Sequence, residues 1–238
     1  IERQLAGWDL KRRLEELSQR PGRCLEGGVG YGPCLLISRE CGSGGSRMAQ
    51  MVSERLGWHV FDREILDEIA QLAHVRLQLF NSVDEQTQLA WGGRWQPELE
   101  PDDIGCENYA RYLRQVVLTL GHQGDVILLG RGAQCILPSQ CSLRVRVIAP
   151  LEVRVQRVAE ADKLTLEQAY RCVQKFDADR TAFVRNTFQR DAAAPLNYDL
   201  VINTGEMSLE AAAEMVMVGL KRKLSVALPR QHATALSA

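Results

Sequence analysis

Cys34-Leu35-Leu36-Ile37-Ser38-Arg39-Glu40-Cys41-Gly42-Ser43-Gly44-Gly45-Ser46-Arg47 is the stretch from which the rest of the chain is read. Cys34 to Ile37 is a short apolar run bounded by turn residues, which predicts a buried strand. Gly42-Ser43-Gly44-Gly45 follows. Met48, Met51, Val52 and Leu56 then recur at helical spacing, with Gly57 at the position of a helix stop. Strand, glycine loop and helix, in that order, are the layout of a phosphate-binding loop. The glycines let backbone N–H groups turn toward an anion, and the positive end of the helix dipole adds to the attraction. Set against G-x-x-x-x-G-K-[ST], the chain has Arg39 at the first glycine and Gly45 at the lysine, with Ser46 and Arg47 after it. The cation on the phosphates must then come from elsewhere, and Arg47, at the start of the helix, is the nearest candidate. A plain glycine-rich strand-to-helix turn is the alternative, and these residues alone leave both open.

Composition narrows the class. The 238 residues suffice for one large domain, or for a domain with a lid-like insert. Hydrophobic residues at 45% and charged residues at 25% are ordinary for a soluble globular chain. The net charge of −1, from 29 basic and 30 acidic residues, gives no global field for nucleic acid or an anionic membrane, so neither is expected as a partner. No apolar run approaches the ~20 residues a membrane-spanning helix needs. Seven cysteines, an odd number without C-x-x-C, predict reduced thiols and a cytoplasmic location. The chain starts at Ile1, so a removed N-terminal signal stays open. His59, His74, His122 and His232 lack metal-ligand spacing, and no metal cage is predicted.

Residues 1–32 read as a helical appendage and linker. Leu5, Trp8, Leu10, Leu14 and Leu17 fall at helical spacing, and Pro21 and a run of glycines follow. The helix either packs on the flank of the main domain or contacts a protein partner. The main domain is expected over 33–225, and a flexible tail over 226–238.

Within the domain, Trp58 to Phe61 predicts a second strand. Asp62 behind it either caps the next helix (Ile65, Leu66, Ile69, Leu72, Ala73), points at a ligand beyond the strand end, or does both. Residues 75–105 break every period and read as a substrate-covering segment or a loose insertion. Tyr109, Leu113, Val116, Val117 and Leu120 predict a helix, and Asp125 to Leu129 a strand covered on both faces. Gly130-Arg131-Gly132 at its end places a basic residue where a guanidinium can clamp a phosphate; a tight turn with a solvated arginine is the alternative. Leu143 to Ala149 is the fourth strand. A helix with Arg154 and Arg157 on one face follows it, and Thr165-Leu166-Glu167-Gln168 opens another as a capping box. That helix carries Asp177, Arg180 and Arg185, which suit either a phosphate-closing lid or a solvated surface. Tyr198 to Thr204 is the fifth strand, and Ser208 caps a last helix. Alternating strands and helices predict an α/β fold with a parallel sheet.

The ordered set Ile37-Ser38-Arg39-Glu40-x-Gly42-Ser43-Gly44-Gly45, Phe61-Asp62-Arg63-Glu64-Ile65-Leu66, Ile127-Leu128-Leu129-Gly130-Arg131-Gly132-Ala133, Val147-Ile148-Ala149-Pro150-x-x-x-Arg154-x-x-Arg157, Asp177-x-x-Arg180 and Tyr198-Asp199-Leu200-Val201-Ile202-Asn203-Thr204 resembles the cytidylate kinase-like family. The resemblance covers about Pro33 to Leu220. It implies a P-loop kinase-type three-layer sandwich, with a five-stranded parallel sheet and a helical lid at about 151–192. It also implies ATP with Mg²⁺ as donor, and a nucleoside monophosphate (CMP-like) or related small phosphoacceptor. Gly42, Ser43, Gly44, Gly45, Ser46 and Arg47 would hold the donor phosphates. Asp62, Arg131 and Asp177 would lie on the acceptor side, and Arg154, Arg157 and Arg180 would join Arg47 in neutralising the transferring group. The chain departs from true cytidylate kinases in lacking the loop lysine, in having Arg63-Glu64-Ile65-Leu66 for Ser-Gly-Ala-x-Tyr-Arg, and in having Gly132 for the aspartate after the strand-end arginine. A nucleotide-binding regulator without strong catalysis is the alternative function.

Overall fold

The computed structural model describes residues 30–63, 65–66 and 106–226. Its strands are β1 (Cys34–Arg39), β2 (His59–Phe61), β3 (Val126–Leu129), β4 (Ser142–Ile148) and β5 (Leu200–Asn203). All pair in parallel, in the order β2-β3-β1-β4-β5. The helices are α1 (Gly45–Leu56), α2 (Cys106–Gln123), α3 (Leu151–Asp162), α4 (Leu166–Phe188) and α5 (Leu209–Leu224). The appendage before Gly30, most of the helix behind Asp62, residues 75–105 and the tail from Ala227 lie outside the described residues.

The unbroken apolar runs of β1 and β3 follow from burial on both faces. Leu35 and Ile37 point into a layer built by Met48, Ala49 and Val52 of α1 and Val216 and Leu220 of α5. Cys34 and Leu36 point the other way, onto Leu113, Val117 and Leu120 of α2. These strand side chains are at most 1% exposed, so each contributes about 1.5–3 kcal/mol of burial.

Strand β4 alternates instead. Leu143, Val145 and Val147 join the α1–α5 layer. Arg144 and Arg146 face the opposite side, where loop residues lie: Arg146 donates to the Ala192 carbonyl and stands over the Tyr198 ring.

Helix ends follow the local chemistry. Thr165 and Gln168 form a reciprocal capping box at α4, and Ser208 accepts from the Ala211 N–H at α5. Gly57 closes α1 in the left-handed region. Helices α3 and α4 form a hairpin in the place expected for the lid, with their own small core of Val155, Val158, Ala159, Ala169 and Val173, on which Cys41 packs. The five cysteines whose side chains are described are free. Among the described residues, no helix is long and apolar enough to cross a membrane.

Candidate functional site

The C-terminal ends of β1, β3, β4 and β5 open toward the glycine loop. Residues 40–44 turn the chain from β1 into α1. Gly44 is the N-cap, at φ 80°, and no side chain caps the helix. The first intrahelical bond runs from the Met48 N–H to the Gly44 carbonyl. The N–H groups of Gly45, Ser46 and Arg47 therefore precede the helix's own ladder, and no acidic residue stands in the first turn. Twelve residues of aligned peptide dipoles lie behind them. This is a backbone anion cradle.

The cradle is fixed from beneath. The buried Ser43 hydroxyl donates to the Glu40 carbonyl, and the buried Thr204 hydroxyl donates to the Ser43 carbonyl at 2.7 Å. Gly42 lies at φ 78°, and a Cβ there would stand 2.5 Å from the Arg154 carbonyl oxygen. The Cys41 thiol is pushed above its ordinary pKa by burial, against the opposing pull of Arg180. The Cys41 N–H donates to the Asp177 carboxylate at 2.8 Å.

Arg154 departs from the expected lid placement. It is buried, its Nε donates to the Ala149 carbonyl, and its Nη1 donates to the Cys41 carbonyl and to Asp177. Glu40 pairs with the same guanidinium and with Arg146. Arg154 is a latch that ties the loop to α3 and α4, because its donors are directed at protein oxygens. Asp177, expected on the acceptor side, bonds the loop backbone and the latch. Arg157 donates to the Thr204 hydroxyl and carbonyl, one residue contact away from Ser43. Arg180 donates to the Arg39 carbonyl at 3.3 Å and lies 3.6 Å from Asp177, at the rim of the loop. Arg47 and Ser46 are exposed on the first turn of α1 and make no side-chain hydrogen bond or ion pair among the described residues.

On the other side of β1, Arg131 sits in the turn after β3 at φ 49°. Its guanidinium stands 4.6 Å from the centre of the Phe183 ring of α4 and 5.8 Å from that of Tyr109 of α2. The two rings meet edge to face at 6.4 Å. These aromatic faces favour one orientation of the cation. Asp62 caps the turn behind β2, accepting from the Ile65 N–H at 3.0 Å, which is the first of the two uses expected for it.

The structure thus brings the loop, Arg154, Arg157, Arg180 and Asp177 into one contiguous network, with Arg131 across β1 from it. Sequence reasoning gave no separate role to Thr204, Glu40 or Phe183, and left the direction of Arg39 open. Thr204 and Glu40 were legible only as polar residues at strand ends. Phe183 was hidden among helical residues. Arg39 carried a signal: a bulky cation at a position that ordinarily takes glycine.

A model of the cytidylate kinase-like family matches residues 35–206. A cytidylate kinase of Methanopyrus kandleri is 28% identical over 177 residues, spanning 70% of this chain and 82% of that protein. A cytidylate kinase of Pyrococcus horikoshii is 22% identical over 187 residues, spanning 78% and 87% respectively. A solved structure of an uncharacterized protein from Eubacterium ventriosum shares the fold, with a TM-score of 0.60 at 17% identity over 79% of this chain and 98% of that one.

Proposed function

The chain belongs to the cytidylate kinase-like family, and on that premise we propose that it is an ATP-dependent phosphotransferase that passes the γ-phosphoryl group to a nucleoside monophosphate or a related small phosphoacceptor. The observation that carries this reading is the uncapped, glycine-built N-terminus of α1 at the end of the central strand, with Arg180 at its rim and Arg131 held on aromatic rings across β1. Phosphoryl transfer asks a protein for positioning and for charge on the equatorial oxygens, with little covalent chemistry. The N–H groups of Gly44 to Arg47 would seat the donor phosphates. Arg131 would take the acceptor phosphate, with the rings of Phe183 and Tyr109 fixing its direction. Arg180 would close from α4.

Mg²⁺ fits one position. Ser46 stands at the hydroxyl of G-x-x-x-x-G-K-[ST], is exposed, and its hydroxyl makes no hydrogen bond among the described residues. Its hydroxyl would hold the ion, with phosphate oxygens and water filling the rest of the shell, as Mg²⁺ ordinarily requires. Bound there, the ion would supply charge neutralisation on the phosphates. Gly132 supplies no carboxylate on the β3 side.

The residues that distinguish cytosine in cytidylate kinases are absent from the second-strand segment, so the acceptor is set by experiment. The purified chain is incubated with ATP, Mg²⁺ and a panel of nucleoside monophosphates and small phosphorylated or hydroxylated acceptors, and ADP and phosphorylated product are quantified. Acceptor-dependent ADP formation supports the proposal. ATP binding without turnover on any acceptor favours the regulator reading, for which the exchange of the loop lysine for Gly45 is the specific observation. No ATP binding refutes both.

A further inference from the structure

The two departures of the loop from G-x-x-x-x-G-K-[ST] are not independent. The first position, ordinarily glycine, holds Arg39, and the seventh, ordinarily lysine, holds Gly45. A cation has been lost at one position and gained at the other.

In space the two residues touch. A Cβ placed on Gly45 would stand 2.7 Å from the Cβ of Arg39 and 3.3 Å from its Cγ, with Val147 Cβ next at 3.4 Å. The arginine stem crosses the first residue of α1 and fills the space from which any side chain at 45 would have to start. Contacts of 2.7 Å between carbon atoms are far inside their optimal separation, so Gly45 is the condition for Arg39 to lie where it does.

The other end of Arg39 points at the second half of the site. A Cβ placed on Gly130 would stand 2.6 Å from Arg39 Nη1. The guanidinium therefore rests against the start of the turn that carries Arg131. That turn is fixed to β1 by the Gly130 N–H donating to the Ile37 carbonyl. The Arg39 backbone is held from above, where its carbonyl accepts from Arg180. One side chain thus runs from the glycine loop to the turn that carries Arg131. Arg47, by contrast, is exposed on the first turn of α1, away from this contact.

We propose that Arg39 is a catalytic residue that carries the cation of this phosphate loop, delivering from the end of β1 the charge that a lysine side chain would deliver from α1. The inference rests on the phosphotransferase reading above. Arginine suits the longer path, because its planar fork binds two phosphate oxygens in parallel and so both attracts and orients them.

The test is an exchange experiment on the full chain. Arg39→Met keeps the stem and removes the charge, and Arg39→Lys keeps a charge without the fork. Gly45→Lys, Arg39→Gly and the double exchange Arg39→Gly/Gly45→Lys complete the set. ATP binding is followed by calorimetry, turnover with the acceptor found in the panel, and fold by circular dichroism and thermal midpoint.

Arg39→Met is expected to lose about ten- to a hundredfold in ATP affinity or turnover, the range of one charge-assisted contact. Arg39→Lys is expected to retain more than Arg39→Met. Gly45→Lys alone is expected to be impaired, because its side chain meets the Arg39 stem. The double exchange is expected to outperform both of its single components, a coupling that a merely structural arginine would not produce.

If Arg39→Met keeps its fold and the parent's affinity and turnover, the inference is overturned. The same holds if the double exchange is no better than the product of its singles, or if Arg47→Met is the more damaging change. A parent that binds no ATP fails the functional reading as well. A parent that binds ATP while Arg39→Met matches it fails this inference alone.

Discussion

Gly42→Ala tests whether the loop's shape, and not merely its composition, makes the cradle. Two separate costs can be worked from the structure. At φ 78° an L-residue is in the left-handed region, which costs roughly 1–2 kcal/mol. The added methyl also stands 2.5 Å from the carbonyl oxygen of Arg154 and 3.0 Å from its carbonyl carbon and Cα, so a rigid backbone, not a pliable side chain, has to give way. Overpacking of that kind adds about 1–3 kcal/mol. The expected loss is therefore about 2–5 kcal/mol in urea unfolding at 25 °C. Gly57→Ala is the internal control. It has nearly the same backbone strain, at φ 68°, but nothing within 4 Å of its added methyl. It should lose only the conformational part, roughly 1–2 kcal/mol. The difference between the two variants isolates the clash. Because relief of that clash pushes residues 41–44 away from Arg154, ATP affinity should fall in Gly42→Ala and stay at the parent value in Gly57→Ala. Equal stability losses in the two variants would refute the argument, since it would mean that the loop backbone yields freely.

Three further outcomes are expected. Arg154→Met should lose about 1.5–3 kcal/mol of unfolding free energy, because Glu40 and Asp177 each lose their most buried partner while Arg146 and Arg180 stay beside them, and urea titration checks it. Arg131→Ala should raise the KM for the acceptor about ten- to a hundredfold, with ATP affinity nearly unchanged, as read by steady-state kinetics and calorimetry. Asp199 is depressed to about 2: burial opposes its ionisation, but hydrogen bonds from Arg144 and Lys223 outweigh it. A depressed carboxylate contributes stability that is present above its unfolded pKa, about 3.9, and is lost as pH falls toward 2. The loss over that window should be about 1 kcal/mol after solvent screening, and Asp199→Asn should abolish that part of the pH dependence of unfolding.

Local chemistry made much of this protein legible from its residues. The apolar runs at Cys34 and Val126 read as strands covered on both faces, because a continuous run has no solvent-facing side and turn residues bound each. Thr165 with Gln168, Ser208 and Gly57 marked helix ends through bonds made within a few residues of chain. The strand–glycine loop–helix layout was legible because its backbone N–H groups are placed by glycines, a property of adjacent residues. What the sequence left open is set by residues far apart in the chain. The Cys41 N–H meets the Asp177 carboxylate across 136 positions, and the Thr204 hydroxyl meets the Ser43 carbonyl across 161. Neither partner announces the other, since each is an ordinary polar residue until the strand order β2-β3-β1-β4-β5 brings the ends of β4 and β5 beside the end of β1. Arg154 and Arg157 share a helix face in the sequence. Yet one is buried as a latch and the other reaches Thr204, because the partners that sort them come from β5, α4 and the glycine loop. Arg39 is the sharpest case. Its oddity was visible in the chain, but its role depends on the contact of its stem with Gly45 and of its guanidinium with Gly130, and only the parallel pairing of β1 with β3 sets that geometry.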